Sequence, residues 1–271
     1  MKNNQNIGDM HRLEHGLHFD EHEFFYEYLL ISPSYQLAHQ FMTGQIKDAA
    51  KIEGVANWNK VLQTYAMCGD VYSMPFLKWW DSTGRKIFYT QQTDGTYLPQ
   101  GSFSLLTNKV NVLTLVKGFL LVNNKSSTER FEGKRIENWR LGVESNVPSK
   151  WTQQLKRNSK KTHDNLEART TLGILVSKKL KEALYLAENA ARGEFPSITP
   201  VASGLEFDYD QIYEVGKTMS QLFLQEWGDR TKAGLGFHKP AVVKKYQRKQ
   251  KAEKKIQIEV ERQIKLRTGK A

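Results

Sequence analysis

Near the start of the chain His11, Glu14 and His15 stand in the pattern H-x-x-E-H. On a helix this spacing puts two imidazoles one turn apart, where they can bind a divalent metal while the carboxylate activates a bound water. His18 and His22 continue the spacing, so four histidines share one face of a helical start, although Gly16 weakens that helix. A catalytic metal site of this kind wants a third protein ligand, and no Glu occurs between Glu53 and Glu129 to supply a carboxylate. No metal site and no bound cofactor are therefore expected. The chain has no phosphate-binding glycine loop, dinucleotide glycine fingerprint, cysteine cluster or G-x-S-x-G, and Cys68 is its single cysteine.

Glu132-Gly133-Lys134 is the second candidate for chemistry. It resembles the E-x-K half of restriction-type nuclease sites, in which a carboxylate binds Mg²⁺ and a lysine steadies a hydroxide or phosphate. The other half would be an aspartate ending a neighbouring strand. The nearest upstream is Asp94, which a turn already explains. A Mg²⁺-dependent nuclease is accordingly the third-ranked reading.

Leu141-Gly142-Val143, followed by Val147, Lys150 and Trp151, resembles the turn and recognition helix of a helix-turn-helix, with Gly142 in the turn. The pattern departs at Asn138, where a small residue is usual, and at Pro148, where an apolar one is. With Pro148 opening the second helix, Ser149, Lys150, Gln153, Gln154 and Arg157 face solvent on or near its reading face.

Charge points the same way. Lys and Arg number 40 against 29 Asp and Glu, a formal net charge of +11. Residues 1–100 hold 8 basic and 11 acidic side chains, so the whole excess lies in 101–271. Such an asymmetry is expected where one part of a chain meets a polyanion. Between Lys150 and Lys161 stand Lys150, Lys156, Arg157, Lys160 and Lys161 with no acid before Asp164. Lys178, Lys179, Lys181 and Arg192 occupy the polar face of the next helix. Lys244, Lys245, Arg248, Lys249, Lys251, Lys254 and Lys255 crowd the C-terminal segment, whose thin stripe Ile256, Val260 and Ile264 is too short for a basic zipper.

These residues need elements to position them. Ser32-Pro33 starts a helix that Gly44 ends. Trp58, Val61, Leu62 and Tyr65 make one helical stripe stopped by Gly69, and Phe76, Trp79 and Trp80 make another stopped by Gly84. Two to four strands are expected next, from Ile87-Phe88-Tyr89, from Tyr97-Leu98 across an Asp94-Gly95 turn, and from the stretch Val110 to Val122. Asn123 to Thr128 reads as a polar loop. The clearest helix covers about Asn165 to Arg192, with Leu172, Val176, Leu180, Ala183, Leu184, Ala187 and Ala191 inward and Gly193 and Pro196 stopping it. Phe195 to Gly204 reads as a linker. Asp208 or Asp210 then caps a helix running to Trp227 and Gly228.

The expected fold is α+β and mainly α-helical. An aromatic-rich helical domain with a small antiparallel β element covers 1–128, a basic helical domain 129–240, and a lysine-rich helix or tail 241–271. The expected function is non-enzymatic nucleic-acid binding, DNA first, as a regulator or accessory factor. Contacts to the phosphate backbone are assigned to Lys150, Gln153, Gln154, Lys156, Arg157, Lys160, Lys161, Lys178, Lys179, Lys181, Lys244, Lys245, Arg248 and Lys249. The second reading is an adaptor or assembly subunit whose basic surface meets an acidic protein. Phe24, Phe25, Tyr26, Tyr28, Trp58, Trp79 and Trp80 are expected to pack as core, with a protein partner assigned to any that stay exposed. No run of eighteen apolar residues and no early signal-type stretch occur, so the expectation is a cytoplasmic chain without a membrane span.

Overall fold

The computed structural model describes residues 21–46, 50–91, 93, 97–99, 110, 112–202 and 204–232. The chain divides into two units, one of residues 19–219 and one of 1–18 with 220–271. Of the second unit, the described part is the C-terminal half of one helix.

The first unit is mainly helical. In chain order it contains α1 (Glu21–Ile31), α2 (Pro33–Met42), α3 (Ala50–Glu53), α4 (Trp58–Cys68), α5 (Phe76–Trp79), a π-helical turn (Trp80–Gly84) and α6 (Arg85–Phe88). A short antiparallel pair follows, β1 (Tyr89–Gln91) and β2 (Tyr97–Pro99), with Thr90 opposite Leu98. The rest is α7 (Val112–Glu132), α8 (Asn138–Glu144), α9 (Lys150–Gln154), α10 (His163–Ala190) and α11 (Tyr209–Lys232), the last continuing into the second unit.

α10 is the spine, packing against α1, α2, α7, α8 and α9. Its inner face carries Ala168, Leu172, Val176, Leu180, Ala183, Leu186, Ala187 and Ala190, all buried at helical spacing, and Gly193 ends it with φ 72°. α1 is apolar nearly all round. Phe24, Phe25, Tyr26, Tyr28, Leu29, Leu30 and Ile31 are buried, so this helix lies inside the core rather than upon it. The buried phenols are satisfied by backbone. Tyr26 Oη donates to Val71 O at 3.0 Å, Tyr28 Oη to Leu115 O at 2.9 Å and Tyr35 Oη to Gly69 O at 2.7 Å. Burial pushes all three hydroxyls well above the usual tyrosine range.

The residues Val112 to Val122 are not β structure. They form helix, and the expected loop 123–128 continues it. Leu115, Val116, Gly118, Leu121, Val122, Lys125 and Ser126 are buried, which is a helical period; the alternation at Val110, Val112 and Thr114 was too short to distinguish the two. The polar residues are tolerated because α7 places them against partners. Ser126 Oγ donates to Tyr209 O at 2.7 Å, and Lys125 Nζ lies 4.3 Å above the Tyr209 ring and 3.9 Å from Glu129. Gly118 permits a close crossing, since a Cβ there would stand 2.7 Å from Tyr28 Oη and 3.3 Å from Ala183 Cβ. Ile87 and Phe88 likewise belong to α6, with strand beginning at Tyr89.

Three more expectations change. Gly84 closes no helix; it lies within the π turn, and a Cβ there would meet the Trp79 ring at 2.6 Å. The segment from Phe195 is no free linker. Phe195 is buried with ring contacts to Phe25 and Tyr28, and Asn189 Nδ2 donates to Ser197 O and Thr199 O, each at 2.9 Å. Arg192, assigned to the solvent face, is buried and paired with Glu188 at 3.1 Å.

The Glu188–Arg192 pair joins three segments. Glu188 accepts hydrogen bonds from Ser32 Oγ and Ser34 N, each at 3.0 Å, and from Ser34 Oγ. Arg192 donates from Nε and Nη2 to Ala56 O at 3.1 and 2.8 Å. Truncating one partner of such a pair strands the other charge in the core, at a cost of about 3–5 kcal/mol. Arg192→Met is expected to lose that much in urea unfolding. Glu27 supplies a second test. Burial pushes its carboxyl up to about 7, above its unfolded value, so its contribution favours the fold at low pH and is lost as pH rises from about 4.5 through 7. The side chain keeps partial solvent contact, so Glu27→Gln is expected to raise stability by about 1–2 kcal/mol near pH 8. The gain should disappear below about pH 4.5, measured as unfolding midpoints across the range.

Candidate nucleic-acid interface

Ser149, not Pro148, caps α9, its Oγ accepting from Trp151 N at 3.2 Å. Leu155 is buried and anchors the end of this short helix, while Trp151 is half-buried with Lys150 Nζ 4.4 Å above its ring. The chain then turns through Lys156–Ser159, where Ser159 N donates to Lys156 O and Lys156 N donates to Ser159 Oγ, both at 2.9 Å. Asn165 ties the entry to α10. Its Nδ2 donates to Lys160 O at 2.7 Å, and its Oδ1 accepts from Thr162 N at 3.1 Å.

The backbone of this segment is thus held by its own side chains, and its long cationic ones point outward. Lys150, Gln153, Gln154, Lys156, Arg157, Lys160 and Lys161 are all exposed. Among the described residues, Lys156, Lys160 and Lys161 form no side-chain ion pair. Arg157 differs. Its Nη2 donates to Glu132 and its Nε lies 2.6 Å from Glu144 Oε1, so it ties the loop to α7 and α8.

Lys178, Lys179 and Lys181 form a separate group. They lie fifteen or more residues into α10, which at 1.5 Å per residue is about 22 Å from its first turn. Lys179 pairs with Glu182 at 3.0 Å, Lys181 lies 5.8 Å from the centre of the Tyr185 ring, and Lys178 is exposed. Partial burial and the neighbouring Lys179 lower the pKa of Lys117 on α7. The two lysine groups therefore do not converge on one patch. Lys244, Lys245, Arg248 and Lys249 lie outside the described residues, as do His11, Glu14, His15 and His18.

The helix-turn-helix assignment fails on Gly142. This residue lies inside α8 and faces α10, where a Cβ would stand 2.8 Å from Val176 Cγ2 and 3.0 Å from Leu172 Cδ1. The turn is made instead around Asn146, whose φ is 47°, and α9 has only five residues. The glycine that suggested a turn serves close helix packing.

Glu132 and Lys134 line a cavity of about 440 Å³ together with Arg140, Arg157 and Asn158. The Arg157 guanidinium sits between the Glu132 and Glu144 carboxylates, where a nuclease would hold its cation. Beside it, Trp139 is flanked by two guanidinium groups, Arg169 at 4.3 Å and Arg140 at 5.3 Å, both also near Glu137. Sequence spacing gave no sign of these arrangements, because Arg157 meets acids thirteen and twenty-five positions earlier. Among the described residues no group of three or more His, Cys, Asp or Glu side chains is placed to hold a metal ion. No helix among them is long and apolar enough to cross a membrane.

The aromatic residues expected to form core do so at Phe24, Phe25, Tyr26, Tyr28 and Trp79, while Trp58 and Trp80 are half-buried. The exposed apolar side chains nearby are Phe41, Met42 and Met67. No protein-family model matches the chain, and neither does any curated protein or solved structure.

The Glu132–Arg157–Glu144 tie can be measured directly. Arg157→Gln is expected to cost about 1–2 kcal/mol, less than a buried pair because the arginine is half exposed. In a double-mutant cycle with Glu132→Gln, the second substitution should cost clearly less in the Arg157→Gln background than in the wild type.

Proposed function

We propose that the protein is a non-enzymatic nucleic-acid-binding protein, a regulator or accessory factor, that grips the phosphate backbone through the segment from Lys150 to Lys161. The observation that carries this reading is the run of exposed, unpaired lysines, Lys156, Lys160 and Lys161, on a loop whose backbone is fixed. A phosphate gains from each lysine and from the positive end of the 28-residue helix that begins at His163. Little loop ordering has to be spent on binding, because the Ser159 and Asn165 hydrogen bonds already hold it. Gln153, Gln154 and the half-buried Trp151 stand beside the lysines as polar and stacking groups. Lys178, Lys179 and Lys181 serve a longer polymer lying along α10, and the lysines of 244–249 are assigned to the same backbone.

Binding to duplex DNA is the first measurement, titrated over a range of salt. The triple substitution Lys156→Gln, Lys160→Gln and Lys161→Gln is expected to weaken binding about tenfold or more and to lower the salt slope by about one unit per lysine. An unchanged slope would remove this segment from the interface. Absence of retention on both DNA and RNA at low salt would replace this reading with that of an adaptor for an acidic protein.

A further inference from the structure

The cavity beside Arg157 has the chemistry of an anion site. We propose that it receives a phosphate monoester, as a free nucleotide or as the terminal phosphate of a strand.

Its lining holds three cations, Lys134, Arg140 and Arg157, one carboxylate, Glu132, and the neutral Asn158. The lining alone sums to +2, while Glu144 lies 2.6 Å from Arg157 Nε and Glu137 3.2 Å from Arg140 Nε outside it, so both arginines are already paired on their Nε side. A phosphate monoester carries about −1.5 to −2 near neutral pH and gains more from three neighbouring cations than a backbone diester, which carries half as much.

The donors are held in place before any ligand arrives. Arg157 has its Nε and Nη2 engaged by Glu144 and Glu132, which fixes the plane of the fork. Nη1 forms no hydrogen bond among the described residues. Arg140 is braced by the Trp139 ring and by Glu137, whose Oε2 lies 3.2 Å from the buried Nε, and its Nη1 and Nη2 form no hydrogen bond among the described residues. Lys134 is largely exposed and lies 3.8 Å from Glu132, beyond hydrogen-bond distance, so its ammonium can turn to a ligand. Glu132 holds these cations together and also repels an anion, which sets the affinity below what the cations alone would give.

About 440 Å³ is at the small end of ligand pockets and leaves room for a sugar beyond one phosphoryl group. A metal cation is disfavoured, because the carboxylates that would bind it face the Arg157 guanidinium. The strand-end form of this inference rests on the nucleic-acid reading, since Arg157 and Asn158 also belong to the lysine segment. The phosphoryl site itself does not rest on it.

The test uses the full chain and two matched pairs of probes: AMP against adenosine, and a short single strand with a 5′-phosphate against the same strand with a 5′-hydroxyl. AMP is expected to bind and adenosine not to, and the phosphorylated strand to bind about tenfold tighter than its partner. Lys134→Gln and Arg140→Gln should erase both differences, while Glu132→Gln should enlarge them. Lys134 has no packing role, so its variant stays informative if Arg140→Gln fails to fold. If AMP is distinguished from adenosine while neither strand binds, the site stands, its ligand is a free nucleotide, and the nucleic-acid reading falls. If both strands bind equally and AMP does not bind, the site is overturned and backbone binding stands.

Discussion

A carboxylate and a guanidinium removed from water can stay charged only if every remaining donor and acceptor finds a partner, and that demand organises the core at Glu188 and Arg192. Glu188 sits near the end of α10 and accepts from the first residues of α2, so it also satisfies part of that helix's unpaired N-terminus. Arg192, one turn further on, reaches the Ala56 carbonyl just before α4. The two charges therefore fix where α2, the α3–α4 connection and the end of α10 meet. An apolar replacement could fill the same space, but it would leave the Ser34 amide and the Ala56 carbonyl without these partners.

With that end of α10 fixed, the packing of the remaining helices follows from small residues. Gly118 lets α7 cross over Tyr28 and Ala183, and Gly142 lets α8 press against Leu172 and Val176. Both glycines have helical neighbours on each side, so their value lies in the missing Cβ and not in an unusual φ. α10 is thereby covered along one side from Ala168 to Ala191, and its other side keeps Lys178 and Ile174 in solvent. Burial on one side and charge on the other also explain why its amphipathic pattern could be read from the sequence.

What was legible in the sequence was local. Ser32-Pro33, the helix of α4, Gly69 after it, most of the core face of α10, Gly193 and the cap at Asp208, one of the two aspartates read for it, all act within a few residues and are present in the structure. α4, however, buries Val61, Thr64, Tyr65 and Cys68 and not Trp58 and Leu62. The exposure of the lysine segment was legible as well, because a run of cations without acids has no local partner. Other features depend on contacts between distant positions. Lys125 and Ser126 resemble loop residues until Tyr209 is placed beside them. Arg192 resembles a surface charge until Ala56 and Ser34 arrive, and Glu132 resembles a lone metal ligand until Arg157 occupies it. In each case a polar side chain was assigned to solvent or to chemistry because its structural partner lay far away in sequence.

Five arginines and four lysines are used in contrasting ways. Arg130, Arg140, Arg157, Arg169 and Arg192 each lie against a carboxylate, and the first two and Arg169 also lie against a ring. A planar guanidinium makes several directed contacts at once, so it suits tying helices together. Lys156, Lys160, Lys161 and Lys178 remain in water, where a compact ammonium on a flexible stem loses little by being unpaired. For a nucleic-acid ligand this division has a consequence. The bidentate reading of guanine is largely arginine chemistry, whereas phosphate needs only a positive charge within reach. In the nucleic-acid reading proposed above, the outward lysines suit the following of a backbone, and discrimination between ligands is assigned to the part-exposed guanidinium groups of Arg140 and Arg157.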